Sequence, residues 1–241
     1  MDLTCKLHIL QDLRQAQNAR KENELKFCTL KEASTAEIVE KKSRFIANSC
    51  HIESKEEAEE KINLIKKKYY DAKHNCFAFS IVDKDGNLLE KSSDDGEPSG
   101  TAGAPILNVI RKNNLNNVLI VVTRYFGGTL LGTGGLIRAY TKSTQEGIKE
   151  SMVIEKCLGV MLSLTCDYTT SGKIQYLTAT EHIPVLDTVY TDNVTFEMIV
   201  PVEEVGSVEK KFMEASMGKA VLEKGEETYY AEIDGKISYD L

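Results

Sequence analysis

The hydrophobic and polar positions after residue 25 change period several times, and each change predicts an element. Ala36 and Ile38 alternate with Thr35 and Glu37, so Thr35 to Val39 reads as a strand. Arg44 to Ile52 reads as its partner, with Glu40-Lys41-Lys42 as the turn. Ser54 then opens a helix. Glu57 stands at the capping-box position, Ala58, Ile62 and Ile65 form the apolar stripe, and Lys66-Lys67-Lys68 suits the helix C-terminus. Asn75 to Val82 and Leu88 to Lys91 are strands around the hairpin chemistry of Asp83-Lys84-Asp85-Gly86-Asn87. Thr101 to Lys112 is compatible with a helix that carries Pro105 near its start. Val118 to Tyr125 is a buried strand, followed by a glycine-rich turn and a helix from about Thr133 to Met152.

The second half is more regular. Leu158–Tyr168 reads as strand, Thr169–His182 as helix, Pro184–Thr191 and Val194–Val202 as a hairpin about Asp192-Asn193, Glu203–Met217 as helix and Ala220–Glu232 as strand. The order β-α-β-β-α-β is that of a ferredoxin-like domain. Before all this, Leu3, Leu7, Leu10 and Leu13 stand at helical spacing in an otherwise polar stretch. Residues 1–25 are therefore expected to be a helical or disordered extension.

Charge sharpens the division. Of the net −7, residues 151–241 carry −9, with 7 basic and 16 acidic side chains, while the first 150 are close to neutral. The expected domains are a 1–25 extension, a domain over 26–152 and an acidic domain over 153–241. An acidic domain repels phosphate backbones, so nucleic-acid contact is assigned to the first 150 residues. The longest apolar run, Val118 to Val122, is far too short to span a bilayer. The start Met1-Asp2-Leu3-Thr4-Cys5 lacks the charged and apolar regions of a secretory signal, so the expected location is the cytoplasm. None of the six cysteines forms a C-x-x-C pair, which argues for free thiols rather than a zinc or redox motif.

Three local features carry candidate chemistry. The turn around Gly127, Gly128, Gly132, Gly134 and Gly135 runs from a strand into a helix start, an arrangement that can bind an anion. It ends in no Gly-Lys-Ser/Thr, and Ile137 occupies the third glycine position of a dinucleotide fingerprint. A tight turn with close helix–strand packing is the competing reading. The second feature, Asp94, Asp95 and Glu97, lacks the spacing of a calcium loop, and pairing to Arg124 and Arg138 is expected instead of a metal site. The third, His74 and Cys76, shares one strand face, which is poor geometry for a nucleophile–base pair. Tyr69 and Tyr70 could stack on bases.

Taken together, His74-Asn75-Cys76, Ser93-Asp94-Asp95-Gly96-Glu97-Pro98 with Gly100-Thr101-Ala102-Gly103, and Thr123-Arg124-Tyr125-Phe126-Gly127-Gly128 with Gly134-Gly135-Leu136-x-Arg138-Ala139-Tyr140 resemble the YigZ/IMPACT family. The resemblance covers about residues 27–150, and the family pattern begins near Phe27. It implies an α+β N-terminal domain like domain IV of elongation factor G and a small-subunit ribosomal protein. The acidic half is similar to the C-terminal ferredoxin-like domain of bacterial members, itself like the last domain of elongation factor G. It also implies a translation-linked role, with RNA, the ribosome or a protein of the translation apparatus as partner. The domain through which eukaryotic members bind their own partner is absent. No catalytic residues, cofactor or metal are implied. The alternative is a small-ligand or phosphate-binding protein, or an enzyme, using the glycine turn and the acidic loop.

Overall fold

The computed structural model describes residues 25–82 and 87–239. The N-terminal leucine pattern and most of the Asp83–Asn87 turn lie outside the described residues. The chain divides into two compact units between Glu155 and Lys156.

The N-terminal unit holds a five-stranded antiparallel sheet in the order β2 (Ser34–Glu40), β3 (Ser43–His51), β6 (Val118–Tyr125), β4 (His74–Val82), β5 (Leu88–Ser93). A short strand β1 (Lys26–Leu30) precedes it. Helix α1 (Lys55–Lys68) covers one face; α2 (Gly103–Lys112) and α3 (Thr133–Lys149) cover the other. The alternation of side chains assigns the faces. Phe45, Cys76, Ala78, Ile120 and Val122 pack with Ile106, Ile110 and Tyr140, whereas Phe77, Phe79, Leu119 and Val121 pack with Ala58 and Ile62. Strand β6 is buried on both faces, which is why its sequence is a nearly continuous apolar run rather than an alternation.

Caps set the helix limits. The Ser54 hydroxyl accepts the Glu57 N–H at 3.1 Å, and the Glu57 carboxylate accepts the Glu53 N–H at 2.8 Å. Helix α2 starts at Gly103, two residues later than its sequence predicts, because its first amides are capped by a carboxylate from outside the helix, that of Asp94.

In the second unit β7 (Val153–Cys166, its first three residues ahead of the division), α4 (Tyr168–Thr180), β8 (Val185–Tyr190), β9 (Val194–Pro201), α5 (Val205–Ala215) and β10 (Val221–Ile233) form the sheet order β10-β7-β9-β8 of a ferredoxin-like domain. Strand β11 (Lys236–Tyr239) adds to its edge as a hairpin on β10, turning at Asp234-Gly235 with both residues at positive φ. Leu162, Leu164, Phe196, Met198, Ile174, Val208 and Phe212 form its core. β7 begins five residues before its sequence reading, because buried Ile154 and Lys156 continue its alternation.

Candidate functional site

The three sequence motifs meet at one end of the N-terminal sheet, where β6 ends, β4 begins and α3 starts. In the β4–β6 register His74 lies opposite Arg124. The loop after β5 folds over this end and is held by the parity of β4: the His74 Nδ1 bonds the Asp95 carbonyl at 2.9 Å, and the Cys76 thiol donates to the Asp94 carbonyl at 2.9 Å.

Each acid of that loop is occupied separately. Asp94 accepts the N–H groups of Gly100, Ala102 and Gly103 at 2.8, 2.9 and 2.8 Å. Burial alone would raise its pKa, but these three bonds outweigh it and hold the carboxyl below the ordinary range. Asp95, at φ 41°, pairs with Lys66 at 2.7 Å and accepts the Asn75 N–H at 2.7 Å. Glu97 accepts Arg124 at 2.6 Å and the Tyr140 hydroxyl at 2.9 Å, both on Oε1. The carboxylates therefore diverge, and among the described residues no group of three or more His, Cys, Asp or Glu is placed to hold a metal ion.

Arg124 fills the centre. Its guanidinium lies 5.4 Å from the Phe45 ring centroid and 5.6 Å from that of Phe126, and Ser43 Oγ stands 3.5 Å from Nη2. Tyr140 is fully buried, edge-on to Phe45 at 5.2 Å. Burial, with Cys76 and Glu97 beside it, pushes its phenol well above the ordinary range. Burial also pushes the Cys76 thiol up to about 12, against a smaller opposing effect of its bond to Tyr140. A thiol so protonated is no nucleophile at neutral pH.

The glycine turn is built for close approach. A Cβ on Gly127 would lie 2.0 Å from the Lys42 carbonyl carbon, and the Gly127 N–H donates to Ser43 Oγ at 3.2 Å. Gly128 and Gly132 adopt φ of 82° and 72°, which glycine takes without strain. Gly134 meets nothing within 4 Å, and a Cβ on Gly135 would meet only the Leu131 side chain, at 3.0 Å. Gly132 is the N-cap of α3 and supplies no side-chain cap.

The expected pairing of two arginines with the acids is corrected for one. Arg124 meets Glu97, but Arg138 is exposed and forms no ion pair among the described residues. Leu136, Ala139 and Tyr140 take the buried side of α3, and residue 138 falls outside that stripe. The link between turn and acidic loop runs through the Arg124 and Tyr140 side chains.

Around this locked centre stand groups that the sequence did not single out. Lys66 read only as a helix-end cation and turns out to neutralise Asp95. Asp71 accepts the Tyr125 hydroxyl at 2.7 Å, and Arg44 lies over the Tyr125 ring at 5.5 Å while binding Glu37. The Lys66–Asp95 and Tyr125–Asp71 contacts span 29 and 54 residues and leave no local signal. Lys41, Lys42, Lys67, Lys68, Tyr70, Lys73 and Phe126 are exposed at or beside this end.

Comparison with known proteins matches the same two segments. The Impact N-terminal domain covers residues 41–148, and a domain of unknown function, DUF1949, covers 164–219. IMPACT family member YvyE of Bacillus subtilis is 42% identical over 203 residues, covering 84% of this chain and 93% of its own length. YigZ of Escherichia coli is 31% identical, covering 79% of this chain and 94% of its own. A crystal structure titled as a hypothetical protein covers 82% of this chain and 96% of its own, at 29% identity and a TM-score of 0.54. With its two antiparallel α+β units, this chain belongs to the IMPACT family.

Proposed function

We propose that this protein is a non-enzymatic, cytoplasmic, translation-linked RNA-binding protein, and that RNA, free or on the ribosome, contacts the end of the N-terminal sheet. The observation that carries this reading is the separation of charge at that end. Asp94 is used by backbone amides, Asp95 by Lys66, Glu97 by Arg124 and Asp71 by Tyr125. Lys66 and Arg124 thus neutralise Asp95 and Glu97, while hydrogen bonds fix Asp94 and Asp71 in place. Lys41, Lys42, Lys67, Lys68 and Lys73 remain exposed beside Tyr70, 85% exposed, and Phe126, 54% exposed. Cations that meet phosphates and rings that stack on bases are what a single strand requires. The translation link rests on the family resemblance.

The same geometry argues against an enzyme. His74, Cys76, Tyr140 and Arg124 are tied to one another or to the loop, and the thiol is held protonated. The uncapped start of α3 supports an anion contact, and a phosphate of the RNA backbone supplies that anion. Co-sedimentation with ribosomes at low and high salt tests the reading. Salt-sensitive association is expected, and its absence at both salts would overturn it.

A further inference from the structure

The N-terminal sheet also has an open edge on its β2 side. Strand β2 is the outermost strand on that side among the described residues. It joins β3 through Lys41 and Lys42, both at positive φ (45° and 68°), as the two-residue type I′ hairpin requires. In such a hairpin the flanking pair, Glu40 and Ser43, exchanges hydrogen bonds, and bonded pairs then recur every second residue. The N–H and C=O groups of Ser34, Ala36, Ile38 and Glu40 therefore point at β3. Those of Thr35, Glu37 and Val39 point outward.

Of the usual protections this edge carries only the charges of Glu37, which is bound to Arg44, and of Glu40 beside the turn. Over seven residues it has no proline, no lysine and no bulge, and its register with β3 is continuous. Val39 is 62% exposed on it. Beside the edge, on the face covered by α3, a groove of about 540 Å³ is lined by Ala36 and Ile38, by Lys142 and Glu146 of α3 and by Glu150 just past its end.

We propose that a second copy of this chain pairs with the β2 edge, joining two five-stranded sheets antiparallel across a two-fold axis near Glu37. Thr35 then exchanges backbone bonds with Val39 of the other copy, and Glu37 with its own equivalent. The axis also reverses α3. Lys142 of one copy comes to face Glu146 or Glu150 of the other, so the row of charges on this helix is complementary to itself. The two glutamates nearest the axis already have cations in their own chain: Glu37 holds Arg44 at 2.9 Å, and Glu146 holds Lys149 at 2.7 Å. Helix placement agrees as well. α3 packs across both β2 and β3. A two-fold axis beside β2 therefore sets the two copies of α3 next to each other on the same face of the joined sheet.

The test is the mass of the full chain in solution by sedimentation equilibrium across a wide concentration range, with circular dichroism as the folding control. Wild type should reach twice 26.9 kDa as concentration rises. Val39→Pro, which removes an outward N–H and spares the β3 pairing, should remain monomeric. Lys142→Glu and the pair Glu146→Lys/Glu150→Lys should each be monomeric alone and form a mixed dimer when combined. If Val39→Pro fails to fold, the mixing experiment decides. A monomeric wild type at every concentration would overturn the proposal, as would a dimer unchanged by all three variants, or charge variants that fail to pair with each other.

Discussion

Arg124 and Glu97 form an ion pair at 2.6 Å with side chains only 7% and 3% exposed, and it joins the last strand turn of β6 to the loop after β5. A charge pair this deep is costly to desolvate, and breaking it costs more than forming it returns. Arg124→Met or Glu97→Leu alone should therefore lower stability by about 3–5 kcal/mol, while the double variant should lose less than either. Thermal or urea unfolding of the four proteins checks this; additive losses would contradict it.

Asp94 gives a pH signature. Its folded pKa lies below its unfolded value of about 4, so its contribution is present above that value and is lost as pH falls through the folded pKa. Asp94→Ala should cost about 1–2 kcal/mol at neutral pH, in the range of a lost helix cap, and flatten the acid limb of the stability curve. A variant with an unchanged acid limb would show that the three amide bonds do not set this carboxyl.

The glycine motif separates into positions with opposite outcomes. Gly127→Ala drives a Cβ into the Lys42 main chain and should cost about 1–3 kcal/mol or more, read as a fall in Tm of several degrees. Gly134 has open space and a helical position, so Gly134→Ala should be neutral or stabilising by up to about 1 kcal/mol. The sequence alone made these two glycines look alike.

Cys76 should resist alkylation of the native protein at neutral pH and react once the chain is unfolded. Its folded pKa of about 12 lies above the unfolded value near 9, so its contribution to stability is complete below 9 and is lost as pH rises towards 12. Peptide mapping after labelling checks this; native labelling of Cys76 as fast as in the unfolded chain would contradict it.

The long elements were legible because period and capping agree. Val118–Tyr125 was bounded to the residue, and Ser54 with Glu57 marked the start of α1. The Asp234-Gly235 turn carries hairpin chemistry, but β11 is only four residues long and follows a strand that already closes the β-α-β-β-α-β order. β1 was missed for a different reason. It is held by tertiary contacts, such as Thr29 with His51 at 2.7 Å and with the Asn117 carbonyl, rather than by an alternation of its own. At the site, residue types identified the players and strand parity placed His74 and Cys76 together. Which cation meets which acid depended on the fold: Lys66 found Asp95 across 29 residues, and Arg138 found neither.

The most direct measurement is the salt dependence of binding to a labelled single-stranded RNA, by fluorescence anisotropy, for wild type and for Lys67→Glu/Lys68→Glu/Lys73→Glu. These three side chains are exposed and form no ion pairs among the described residues, so the variant should fold normally. Wild type should bind at low salt with log K falling linearly in log salt. The variant should lose affinity and have a slope shallower by about 0.7 for each phosphate contact removed. No measurable binding by wild type at low salt, or an identical slope in the two proteins, would contradict RNA contact at this end of the sheet.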